Sequence, residues 1–259
     1  MHVLLLASAM VLATAQPGEG GRVRAGNGVN IATDCEVDSE YDFHLTERSV
    51  VFLRDSGSPR TVLMRQGRLF VDDRWVELTP ADAARIRDYE RETRAVMPLA
   101  HEVGAEAAQI AFTAIGEVAA GFSADPERTR ATLAAARTRL DAHLARSITP
   151  TRFDSDALGD GIGEAIEEVV PTLVGDVVGG AIGAAFRGDT ARLERMQNLD
   201  AEIEALVEPR ARALEKSANA LCRRMEALDR IDDTLDWRLP DGRPLDLLTV
   251  SHGRRNGGG

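Results

Sequence analysis

Residues 158–186 read LGDGIGEAIEEVVPTLVGDVVGGAIGAAF. The stretch holds seven glycines yet keeps a helical apolar rhythm through Ile162, Ile166, Val169, Val170, Leu173, Val177, Val178 and Ile182. Each interior glycine costs a helix roughly 1 kcal/mol relative to alanine, so packing must compensate. Gly175, Gly179 and Gly183 recur every four residues. That spacing predicts a smooth stripe on one helix face, which lets a neighbouring backbone come close. Gly159 and Gly163 form a second, shorter stripe. Pro171 lies between them and predicts two short helices or one bent one.

Three occupants suit the long stripe: a helix of the same chain, a second copy, or a membrane. Val169 to Phe186 carries one charge, Asp176, over 18 residues, which nearly meets the length of a spanning helix. Asp160, Glu164, Glu167 and Glu168 lie just before it, and Pro171 with the glycines lowers its apolar character. Charges are rare in spans, so packing inside the chain is the expectation, with 190–207 as the partner segment.

Composition points the same way. Aromatic residues make up only 4% of the 259, which suits helices packed through small side chains. The net charge is −11, which argues against nucleic acid as the main partner and against docking on anionic lipid.

The opening residues MHVLLLASAMVLATA have the apolar run and small-residue end of a secretory leader, with the mature start expected near Gln16. Cys35 and Cys222 are the only cysteines. In an exported chain they are expected to pair; in a cytosolic one they would be two buried thiols.

Between 30 and 78, short alternating runs separated by Asp, Gly and Pro turns predict an antiparallel meander, too small to stand alone. Thr79-Pro80-Ala81-Asp82 opens a helix expected to reach about Phe122 with a kink at Pro98, and a second runs from Ser123–Pro126 to Thr149-Pro150. Thr190 to Trp237 is the longest helical pattern, with Pro209 expected to divide it. Val207, Leu214, Leu221, Leu228 and Leu235 fall seven apart, and Ala211, Ala218 and Met225 follow the first three by four. This is a coiled-coil-like seam. Leu245 to Val250 reads as a returning strand.

The expected fold is therefore α+β and mainly α. It is an elongated helical bundle with coiled-coil-like hairpins and a small antiparallel N-terminal β-meander, which the C-terminal strand is free to join. The plan is a leader at 1–15, a flexible arm at 16–29, the meander at 30–78, the bundle at 79–237, a C-terminal hairpin or strand at 238–251, and a disordered tail at 252–259.

Chemistry is harder to find. His2, His44, His101, His143 and His252 form no His-Glu-x-x-His or Glu-x-x-His motif. Asp154-Ser155-Asp156 fails as a calcium loop, since Leu158 and Ala165 occupy ligand positions, and reads better as a helix start. Glu164, Glu167 and Glu168 could pair for acid–base work, but a solvated helix face explains them more simply. No catalytic, cofactor or metal residues are assigned.

Several pieces together resemble the YggN-like family of periplasmic proteins of unknown function. They are Cys35, the join from Gly67-Arg68-Leu69-Phe70-Val71 to Val76-Glu77-Leu78-Thr79, Pro171 with Gly175-Asp176, Ala220-Leu221-Cys222-Arg223-Arg224, and Asp241-Gly242-Arg243-Pro244-Leu245-Asp246-Leu247-Leu248. The resemblance implies an exported protein and supplies no catalytic residue. The function expected is a non-enzymatic structural or interaction role in the envelope, with an unknown protein partner or self-association. Peripheral membrane contact through 158–186 and a hydrolase built on Glu164 are the alternatives.

Overall fold

The structure is a computed structural model that describes residues 35–123, 125–187 and 190–252, without the side chains of 120, 122, 168, 172–173 and 176–202. The expected leader, the arm and the tail from 253 lie outside the described residues. Six strands come first: β1 (Cys35–Asp38), β2 (Asp42–Leu45), β3 (Val50–Leu53), β4 (Thr61–Arg65), β5 (Arg68–Val71) and β6 (Arg74–Val76). Helices α1 (Pro80–Phe122) and α2 (Pro126–Ser147) follow, then a small hairpin of β7 (Ile148–Thr149) and β8 (Arg152–Asp154). Helices α3 (Ser155–Arg187) and α4 (Thr190–Asp233) lead to a final strand, β9 (Thr249–His252). The class is α+β with an antiparallel N-terminal sheet, as expected.

The sheet order is β6-β5-β4-β3-β2-β8-β7, antiparallel at every pairing. Alternation sets its inner face: Leu45, Val50, Phe52, Val62, Met64, Leu69 and Val71 are buried. They share one core with Ile86, Tyr89 and Val96 of α1, Leu228 of α4, and Leu235, Leu245 and Leu247 beyond it. The meander therefore lies on the helices, as a sheet of such short strands must. The hairpin β7–β8 was not foreseen, because strands of two and three residues show no period. It extends the sheet through Leu45 opposite Phe153.

Helix starts follow their caps. The Thr79 hydroxyl accepts the Asp82 amide at 3.1 Å, and the Asp125 carboxylate accepts the Arg128 amide at 3.1 Å. Asp154, read from sequence as part of a helix start, accepts the Ala157 amide at 3.1 Å. The interior prolines do not end their helices. α4 continues through Pro209, correcting the division expected there, and α3 runs through Pro171 as one helix, the second of the two alternatives. The packed core of α4 offsets the missing bond: beyond Pro209, Leu214 and Leu228 are buried. The C-terminal strand, left free to join the 30–78 region, pairs with its first strand. β9 and β1 form a two-stranded ribbon separate from the seven-stranded sheet, with Cys35 opposite His252.

One helix carboxylate fixes the sheet to α1. Gln66 and Gly67 turn β4 into β5 with positive φ at both residues. Their amides donate to Glu90 of α1 at 2.9 and 2.8 Å. The turn lies so close to α1 that a Cβ on Gly67 would sit 2.9 Å from the Ala83 carbonyl oxygen. Replacing Glu90 by Ala leaves two amides without their acceptor, so urea unfolding should register a loss of about 1–3 kcal/mol. Glu90→Gln, which keeps one acceptor oxygen, should lose less.

Candidate functional site

The last turns of α4 hold both ends of the described chain. Cys222 bonds to Cys35 at the start of β1, with the two Cα atoms 6.1 Å apart. This is the pairing expected of an exported chain. One turn on, Glu226 meets the His252 ring of β9 at 3.0 Å. Next, the Asp229 carboxylate accepts the Val250 amide at 3.0 Å, and Asp232 accepts the Leu247 amide at 2.8 Å. Residues 222, 226, 229 and 233 recur every three or four positions, so they share one face of the helix. Cys222, Glu226 and His252 cluster closely enough to suggest a metal site, but the Cys222 sulfur is spent in the disulfide.

A second cluster is free of that objection. Asp229, Asp232 and Asp233 each place a carboxylate oxygen within 4.8 Å of the others. Asp232 is 1% exposed, and its Oδ1 has no hydrogen-bond partner. The Tyr89 hydroxyl, equally buried, also has none. Burial pushes the Asp232 carboxyl up to about 8, and the charges of Asp229, Asp246 and Asp233 add to the shift while the Leu247 amide opposes it. Burial, then Asp232 and Asp229, hold the Tyr89 phenol well above its usual range. Asp82, at the far end of the same junction, behaves oppositely. Burial works to raise it, but the amides of Asp236 and Trp237 and the Arg85 guanidinium outweigh that and lower it.

Asp229, Asp232 and Asp233 were not singled out from sequence, though a signal existed for Asp232. The series Ala211, Ala218, Met225 continues at 232, where the seam meets an aspartate. A charged residue at an inward position demands a partner.

Helix α3 places the other expected site residues. Its inner side carries Gly161, Ala165 and Val169, all buried. Gly161 is the close-approach glycine: a Cβ there would overlap the His143 ring of α2, with Nε2 at 2.8 Å. Among the described residues an added Cβ at Gly175 meets nothing within 4 Å. The surroundings of Gly179 and Gly183, and the side chains of 190–202 expected to face them, lie outside the described residues. The outer side of α3 bears Ile162, Ile166, Val170 and Val174, each four residues from the next and 42–57% exposed. Gly159 and Gly163 lie on that side with open space where a Cβ would be. Glu164 and Glu167 are exposed; the Glu168 side chain is outside the described residues. Among the described residues no helix is long and apolar enough to cross a membrane.

Residues 35–248 match the family model described as Protein of unknown function (DUF2884). The chain belongs to that family. The matched span begins on Cys35 and ends on Leu248, so it takes in both halves of the disulfide and the segment that Asp232 holds. No curated protein and no solved structure matches the chain.

Two outcomes are expected of this junction. The disulfide closes a loop of 187 residues, and opening so long a loop costs about 5 kcal/mol by chain entropy. Cys35→Ser should therefore move the denaturant midpoint sharply downward, with reductant producing the same shift in the parent. The second concerns pH. Asp232 binds its proton more tightly folded than unfolded, so stability should fall as pH rises between its ordinary 3.8 and about 8. The slope is at most about 1.4 kcal/mol per pH unit. Asp82 is lowered and acts only below that window. Melting temperatures from pH 5 to 8 in a chelating buffer should decline for the parent and decline less steeply for Asp232→Asn, in which Asp246 is the raised carboxyl that remains.

Proposed function

We propose that the chain is an exported, non-enzymatic envelope protein of the YggN-like kind that associates through the outer face of α3, and that the occupant of this face is a second copy of itself. The observation that carries the reading is the exposed row Ile162, Ile166, Val170 and Val174 beside the open Gly159 and Gly163. A contiguous apolar row on a surface helix is characteristic of an interaction site. Bulky and vacant positions on one face suit an isologous pair, where a single patch must serve as both knob and socket. Glu164 and Glu167, both exposed on the same helix, disfavour anionic lipid as the occupant. Export is supported by the leader-like first fifteen residues and by the disulfide, a bond that oxidising compartments sustain.

Sedimentation velocity over a concentration series tests the reading. The parent should pass from monomer to dimer. Ile166→Glu and Val170→Glu place a charge in the contact, and each should weaken the pair by about tenfold or more with the circular dichroism spectrum unchanged. A parent that stays monomeric throughout overturns self-association. Parent chain that floats with neutral vesicles, and loses this in Val170→Glu, would assign the face to lipid instead. A hydrolytic activity lost in the Glu164→Ala, Glu167→Ala double variant would overturn the non-enzymatic reading.

A further inference from the structure

The geometry points to a divalent-cation site at the C-terminal end of α4, formed by Asp229, Asp232 and Asp233 and suited to calcium. The inference is independent of how α3 is used.

Three features carry it. The first is size. Calcium holds oxygens at 2.3–2.6 Å, so two ligands on opposite sides of one ion stand about 5 Å apart. One carboxylate oxygen from each of the three aspartates lies within 4.8 Å of the others, inside that limit.

The second is the state of the oxygens. One from Asp229 and one from Asp232 accept the amides of Val250 and Leu247. The remaining Asp232 oxygen is buried with no partner, in a structure where buried polar atoms are normally satisfied. Tyr89 supplies an independent sign. It belongs to α1, its hydroxyl is buried and unpartnered, and the bonds joining Asp82 and Glu92 of α1 to Asp236 and Arg224 bracket it against the end of α4. Orphaned oxygens on two different helices are what a ligand between them would satisfy.

The third is charge and access. Asp246 joins Asp229 and Asp233 in acting on Asp232. Among the described residues none of these four aspartates forms an ion pair with a basic side chain. Asp229 is half-buried and Asp233 is exposed, so an ion has a way in and water can complete its shell. With three carboxylates and an open side, affinity should resemble that of extracellular calcium modules, about 0.1–1 mM.

The test uses the mature chain with its disulfide intact, stripped with chelator and dialysed into chelator-free buffer at fixed pH, with calcium chloride alone as the probe. At ten times the dissociation constant the melting temperature should rise by about 3–6 °C. Asp233→Asn, an exposed change that leaves the Val250 and Leu247 hydrogen bonds in place, should lose most of that rise. Asp160→Asn, on α3, should keep it. Terbium luminescence gives a second readout: emission excited through the aromatic residues should appear in the parent, be displaced by calcium, and weaken in Tyr89→Phe. No rise with calcium up to about 10 mM, well above the expected affinity, overturns the site. So does a rise that Asp233→Asn leaves intact, or terbium emission indifferent to both Asp233→Asn and Tyr89→Phe.

Discussion

Both ends of the described chain are tied to one face of α4, and the rest of the architecture depends on that attachment. Cys222 takes Cys35, and Asp229 and Asp232 take the main chain of the last segment. β1 and β9, each only four residues long, can pair as a ribbon because α4 presents them side by side. A two-stranded ribbon is marginal alone in water. Here a covalent bond at one strand and carboxylate–amide bonds beside the other supply what the strands lack. Ser39 strengthens the arrangement, its hydroxyl donating to the Leu247 carbonyl at 2.7 Å.

A common device recurs across the fold. Three buried carboxylates on long helices, Asp82, Glu90 and Asp232, each accept main-chain amides from a segment distant in sequence. Two are well compensated: Asp82 has two amides and Arg85, and Glu90 has two amides. Asp232 has one amide, and the charges of Asp229, Asp246 and Asp233 act on it. The imbalance sets it apart from a purely structural clasp: burial without a compensating cation makes its carboxyl hold a proton up to about 8.

The meander and the helix starts were legible because their signals are local. Turn residues at Gln66-Gly67 and caps at Thr79 and Asp125 act over four residues and were not overridden. Pro209 within α4 misled, since the cost of a proline is local while the packing that offsets it is not. The partner of the last strand stayed open for a similar reason: nothing in Leu245 to Val250 distinguishes β1 from the other strands of the 30–78 region. Asp232 escaped notice because its meaning needs Tyr89, Leu247 and Asp246, which lie on other segments. The aspartate at a seam position was visible in the sequence; what surrounds it was not.

The disulfide has a further consequence of a topological kind. It makes most of the described chain a single covalent ring, from Cys35 through the sheet and three helices to Cys222 in the fourth. One cut in the backbone anywhere in that ring yields no free fragment. The pieces stay joined through sulfur, and the strands and helices on either side of the nick remain neighbours. Wherever a protease reaches the chain, a ring of this size turns a first cleavage from a loss of the molecule into a local break in a loop.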